Sequence, residues 1–185
     1  METGAISASA SPSWPTAWRN GASAFAYHHH MGTVVETTAE IDRLMTATGG
    51  SVGLLLDTGH LAFAGADPAD IAWRHRRRIN HVHCKDVRPG VLARARATDE
   101  SFLDAVLDGI FTVPGDGAID FAAALTALKA ADYRGWLVVE AEQDPAKAPP
   151  LVYARRGFAH WRPTASVRHS PARIARSASS SCARG

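Results

Sequence analysis

The side chains best suited to chemistry sit where apolar runs end. His28, His29 and His30 follow the apolar run 22–28. Asp57 closes VGLLLD, and His60 comes three residues later. His81, His83, Lys85 and Asp86 fall within INHVHCKD, and Glu140 and Glu142 close WLVVEAE. Side chains alternate along a strand, so His81 and His83 share a face, as do His28 with His30 and Glu140 with Glu142. Such a mixture of imidazole and carboxylate donors suits a divalent ion such as Mn, Co, Mg or Zn. The same groups can take up and deliver protons. Cys84 is the one thiol near them, so a structural thiolate zinc site is not expected.

Each residue also has a plainer use. A histidine run can be an ordinary loop, a lone Asp at a strand end can cap a helix, and Glu140 can pair with an arginine. Arg74 and Arg76–Arg78 read as a solvated helix face, and Tyr133 and Trp136 as packing. The gathering of His, Asp, His and Glu at four strand ends favours a site over any of these uses. The C-terminal strand ends line active sites in parallel α/β folds.

The elements that must position them alternate. Residues 22–28 and VGLLLD read as strands, the latter with the continuous apolar run of a strand buried on both faces. A helix spans 36–48, with Thr37 and Glu40 at capping-box spacing and Gly49-Gly50 behind it. Asp67-Pro68 opens a second helix, and INHVHC is a third strand. Further helices are expected from Thr98 to Asp108, with Gly109 as the stop, and from Asp120, with Phe121, Leu125 and Leu128 on one face. A strand over 136–140 follows, then a last helix opened by Asp144-Pro145 and reaching about His160. Strands alternating with helices imply right-handed βαβ units and a parallel sheet.

Composition agrees with one soluble globular domain: 185 residues, 46% apolar and 21% charged. No apolar run approaches the roughly 20 residues that cross a bilayer, and no secretory leader is evident. The two cysteines, Cys84 and Cys182, are far apart, so no disulfide framework is expected and a cytoplasmic setting is. Residues 1–144 hold 18 acidic and 12 basic side chains, a net of −6, while 145–185 hold eight basic and no acidic ones. The slightly positive total therefore comes from the tail, and nucleic acid is not an expected partner. Residues 1–21 and 162–185 lack apolar period and are expected to be disordered, leaving 22–161 as the domain.

Five segments carry a resemblance. AYHHHMGTVVET, VGLLLDTGHLAFAGADP, RRRINHVHCKDVR, SFLDAVLDGIFTVPGDGAIDF and YRGWLVVEAEQDP resemble, in that order, the C-terminal half of the myo-inosose-2 dehydratase family. That family lies within the xylose-isomerase-like TIM barrels. The resemblance implies a ring of eight parallel strands with helices outside. A whole barrel takes roughly 250 residues, so this chain would supply a partial (β/α) barrel, the last four or five strands.

The resemblance also implies a divalent metal, manganese or cobalt, at the C-terminal mouth. Asp57, His83 and Glu140 match three of the superfamily's ligands, and His28 falls in the fourth place. His60, Lys85 and Arg88 stand where the superfamily contacts substrate. His60, His81 and Lys85 are the candidates for proton transfer, and His30 and Arg88 for binding substrate. The implied reaction is dehydration of a polyol ketone, 2-keto-myo-inositol (scyllo-inosose), to a trihydroxycyclohexane-dione, with glutathione as an associated cofactor. A related sugar isomerase or epimerase, or a truncated inactive fragment, are the alternatives. No oligomeric state follows from the sequence.

Overall fold

The computed structural model describes residues 25–164 and 174–176. Its centre is a parallel sheet of five strands in the order β1 (Phe25–His28), β2 (Val52–Asp57), β3 (Ile79–Cys84), β6 (Leu137–Val139) and β7 (Ile174–Arg176). VGLLLD forms a strand because its leucines are buried by what lies on either face of the sheet. The helices follow in chain order: α1 (Thr38–Ala47), α2 (Thr58–Phe63), α3 (Pro68–His75), α4 (Pro89–Thr98), α5 (Phe102–Leu107), α6 (Phe121–Ala130) and α7 (Pro150–Thr164). A two-residue antiparallel pair, β4 (Asp86–Val87) with β5 (Phe111–Thr112), stands beside the sheet.

Local signals hold where they act locally. Thr37 caps α1, its hydroxyl accepting from Glu40 N–H while the Glu40 carboxylate accepts from the Thr37 N–H. Asp67 caps α3 with Pro68 in its first turn, and Asp120 caps α6. The apolar faces of α1, α3 and α6 pack Ile41, Met45, Ile71, Ala72, Phe121 and Leu128 against Leu54, Leu56 and Val82 of the sheet. Arg78 ties α1 to β2, donating to the carbonyls of Met45, Thr48, Gly49 and Val52.

Other boundaries differ. Thr98 ends α4 rather than starting a helix. Its hydroxyl donates back to the Arg94 carbonyl, Asp99 turns left-handed at φ 52°, and Ser101 caps α5 instead. Asp144 organises only one turn, because Pro149 and Pro150 lack the N–H groups that would carry a helix onward. The last helix starts afresh at Pro150. The helices α2 and α4 and the β4–β5 pair are additions to the expected order.

The ends depart from expectation as far as they are described. α7 runs to Thr164, and Ile174–Arg176 pairs in parallel with Leu137–Val139, inside the segment expected to be disordered. The free edge of β6 presents a row of backbone donors and acceptors that a short extended segment can satisfy. The rest of 162–185, and the whole of 1–21, lie outside the described residues.

Candidate metal centre and active site

β1, β2, β3 and the residue after β6 end side by side. His28 is level with Leu55, Asp57 with His83, and His83 with Val138. Glu140 is one step beyond the strand, its N–H still donating to the Cys84 carbonyl. Parallel register thus turns four distant sequence positions into one cluster.

Asp57 divides its carboxylate between two tasks. Oδ1 accepts from the N–H groups of Gly59 and His60 at 3.0 and 3.1 Å, capping α2. Oδ2 faces His28 Nε2 at 3.2 Å, His83 Nδ1 at 3.4 Å and Lys85 Nζ at 3.5 Å. Burial works against the charge on Asp57, but Lys85, the hydrogen bond from His28 and the nearby His83 imidazole hold its carboxyl well below the usual range. The plainer reading of Asp57 as a helix cap is therefore right, and it describes only one of its two oxygens.

His83 Nδ1 and Glu140 Oε2 lie 2.8 Å apart, both buried, and neither completes a well-aligned hydrogen bond. With Asp57 they form a group whose ligand atoms all fall within 4.8 Å of one another. Burial opposes a charge on His83, yet Asp57 and Glu140 push its imidazole up to about 9. Burial also opposes a charge on Glu140, which His83 and Lys85 nonetheless hold below its usual value. Two buried polar atoms without well-aligned hydrogen bonds, converging with a carboxylate, are what a shared cation would satisfy. The residues present therefore fit a divalent metal.

Behind this group lies a second one. Lys85 is completely buried, with its ammonium 2.7 Å from Glu142 Oε2, 2.9 Å from His60 Nε2 and 3.4 Å from Glu140 Oε2. Burial favours its neutral form, but Asp57, Glu140 and Glu142 together raise its pKa. Burial lowers that of His60, whose Nε2 lies against both the Lys85 ammonium and Glu142 Oε2. His60 and Lys85 pull Glu142 down to about 2 against its own burial. His30 stacks at 3.7 Å, centroid to centroid, on His60, with Nε2 3.6 Å from Glu142 Oε1.

His81 shares the face of His83, with ring centroids 5.3 Å apart, but belongs to none of the metal-capable groups among the described residues. Arg88 is engaged elsewhere. Its guanidinium donates to Thr112 Oγ1 at 3.0 Å, Asp116 Oδ2 at 2.8 Å and Tyr153 Oη at 3.3 Å, bracing β5 and α7. Asp86 organises the VPGDG turn, accepting from the N–H groups of Gly115, Gly117 and Ile119. A side chain at Gly117 would collide with it at 2.3 Å.

Two of the strand-end residues carry roles that the sequence does not assign. His29 points away from His28 and His30, is fully buried, and accepts the Asp57 N–H on Nε2 at 3.3 Å. Burial lowers its pKa to about 3, so it stays neutral. Strand alternation alone sets it opposite its two neighbours. Glu142 stands at the end of its strand and shares a face with Glu140. Its contact with a buried lysine had no signal in the sequence.

A parallel sheet with helices between strands, and a mixed carboxylate and imidazole cluster at its C-terminal edge, define a partial α/β barrel. A model of the xylose isomerase-like TIM barrel family matches residues 23–164, and the chain belongs to that family. Rhizopine catabolism protein MocC of Rhizobium meliloti is 64% identical over 132 residues, covering 71% of this chain and 41% of that protein. Inosose dehydratase of Geobacillus thermodenitrificans is 54% identical over 142 residues, covering 76% and 48%. The chain thus spans less than half the length of these curated relatives. A solved xylose isomerase-like TIM barrel/4-hydroxyphenylpyruvate dioxygenase fusion protein superposes with a TM-score of 0.59 at 23% identity, over 79% of this chain and 22% of that one. That likeness concerns the fold alone.

Proposed function

We propose that this chain carries the metal-binding half of a cytoplasmic hydro-lyase that removes water from a polyol ketone, 2-keto-myo-inositol. The observation that carries the reading is the convergence of Asp57 Oδ2, His83 Nδ1 and Glu140 Oε2, two of them buried without well-aligned hydrogen bonds. The identity to inosose dehydratase supports the choice of substrate. Among the described residues no helix is long and apolar enough to cross a membrane.

Asp57, His83 and Glu140 would hold the ion, with His28 beside them as a fourth donor. Charge supports a divalent one. Asp57, Glu140 and Glu142 against Lys85 leave two negative charges when the histidines are neutral. Manganese or cobalt are the ions of this proposal, since a mixed nitrogen and oxygen set accepts both. When bound, the ion supplies a Lewis acid that polarises a ketone.

The chain's own residues do the rest. His60 and His81 are the candidates to accept a proton from the carbon beside the ketone and to return one to the departing hydroxyl. Lys85 keeps its proton between three carboxylates and serves as their counter-ion. His30, at the more exposed side of His60, is placed to bind substrate oxygens. Arg88 braces the wall. Glutathione has no part in this proposal.

The test is turnover of 2-keto-myo-inositol by the manganese-loaded chain, followed as dione formation. Dehydration that a chelator abolishes and Glu140→Gln suppresses is expected, since Gln keeps the shape but not the anion. Turnover undiminished by the chelator would overturn the metal reading. Epimerised ketone without loss of water would move the assignment to an isomerase. A chain that binds metal and ketone yet turns over neither would be the inactive half.

A further inference from the structure

We propose that Glu142 is a specificity-determining residue: Lys85 and His60 anchor one of its oxygens, and the other accepts a hydrogen bond from a hydroxyl of a polyhydroxylated ketone seated beside Asp57, His83 and Glu140. This rests on the ketone-binding reading above.

Lys85 sets up the argument. It has no exposed side-chain surface, and further barrel strands could only bury it more. Its ammonium therefore acts on the groups around it rather than on a ligand. The shortest of its carboxylate contacts is Glu142 Oε2, at 2.7 Å, and His60 Nε2 lies 3.3 Å from the same oxygen. That oxygen is spoken for.

The other oxygen is not. Oε1 has His30 Nε2 at 3.6 Å, beyond hydrogen-bond distance, on a side chain that keeps 30% of its surface exposed. A carboxylate held at one oxygen and open at the other is an aimed acceptor. Glu142 lies two residues after Glu140, and Lys85 touches both, so this side chain stands beside the group that would hold the ion. Phe102 closes the same corner, its ring 5.8 Å from His30 and 5.9 Å from His60. A carbocycle presents that combination of surfaces: hydroxyl groups for the carboxylate and C–H groups for the aromatic ring. A ketone lacking the further hydroxyls would leave Oε1 without a donor.

The experiment uses the manganese-loaded chain and two probes, 2-keto-myo-inositol and 2-hydroxycyclohexanone. The second keeps the ketone and one neighbouring hydroxyl but none of the others. Affinity is read from manganese-induced broadening of the probes' proton resonances, and manganese affinity from titration of the metal alone. Glu142→Gln should weaken 2-keto-myo-inositol at least roughly tenfold, the loss expected for a hydrogen bond to a charged group. It should change 2-hydroxycyclohexanone less than about twofold and leave one ion bound, so that discrimination between the ketones collapses. Glu142→Asp, which keeps the carboxylate, should recover part of the preference.

Equal losses for both ketones, or an unchanged affinity for 2-keto-myo-inositol, would overturn the proposal. So would a fall from two bound ions to one, which would make His30, His60 and Glu142 a second ion site. If the unaltered chain binds neither ketone, the ketone-binding reading itself fails and this one with it. If it binds the polyol ketone and Glu142→Gln binds it equally well, only the role of Glu142 fails.

Discussion

Thr58 grips Lys85 on both sides of its backbone, its hydroxyl donating to the Lys85 carbonyl at 2.7 Å and accepting the Lys85 N–H at 3.0 Å. Its neighbours attend to the same lysine. Asp57 and His60 face the ammonium, and Gly59 leaves room for the aliphatic stem. The segment DTGH is thus a cradle for the lysine of HVHCKD, 25 to 28 positions along the chain.

Thr58→Val should lower unfolding stability by about 1–3 kcal/mol, because the buried Lys85 N–H loses its partner and valine offers none. Thr58→Ser, which keeps the hydroxyl, should recover most of the loss. Urea unfolding measures both. A valine variant as stable as the parent would mean that the clasp contributes nothing.

Gly59→Ala should be more damaging than an alanine normally is in a helix. The added Cβ would lie 2.6 Å from Lys85 Cγ and 2.9 Å from Lys85 Cβ, atoms too near the backbone to swing clear. Overpacking of this kind costs about 1–3 kcal/mol. A stabilised variant, the ordinary result of replacing a helical glycine with alanine, would contradict the packing argument.

Metal affinity should climb with pH. Without metal, His83 titrates at about 9 and so carries a proton at neutral pH, whereas a metal ligand must be neutral. Binding at pH 7 therefore expels that proton. The sign follows: between pH 6 and 8 the apparent manganese affinity should rise by roughly tenfold per pH unit, levelling off above about 9. Calorimetry in buffers of different ionisation enthalpy would count the proton released. A flat affinity across that range would remove His83 from the ligand set.

Arg88→Met should separate bracing from binding. The guanidinium's bonds to Thr112, Asp116 and Tyr153 predict a loss of about 1–3 kcal/mol in stability. Affinity for 2-keto-myo-inositol at a temperature where the variant stays folded should hold within about twofold. Weakened ketone binding in a fully stable variant would restore the substrate-contact role read from the sequence.

What could be read from the sequence was whatever a few neighbouring residues decide. Thr37 with Glu40, Asp67 with Pro68, and the run VGLLLD each carry their own start, stop or burial pattern, so the corresponding elements fall where expected. Thr98 shows the limit. A threonine near a helix boundary can cap the next helix or close the last, and the backbone turn at Asp99 selects the second.

The sequence also determined which residues stand at the strand ends, because apolar runs and alternation reveal where each strand stops and which side chains share a face. It thereby offered Asp57, His81, His83, Glu140 and Glu142 as candidates, and the family resemblance picked out Asp57, His83 and Glu140. Only the tertiary structure decided what each does once there. Parallel register levels Asp57 with His83, burial makes Lys85 an internal counter-ion, and the β4–β5 pair draws Arg88 into bracing β5 and α7. It also turns one oxygen of Glu142 inward and leaves the other open. The physical reason is range. Caps and periodicity act within a turn or a strand, whereas burial, charge pairing and hydrogen-bond partners depend on segments 25 to 65 residues apart meeting in space.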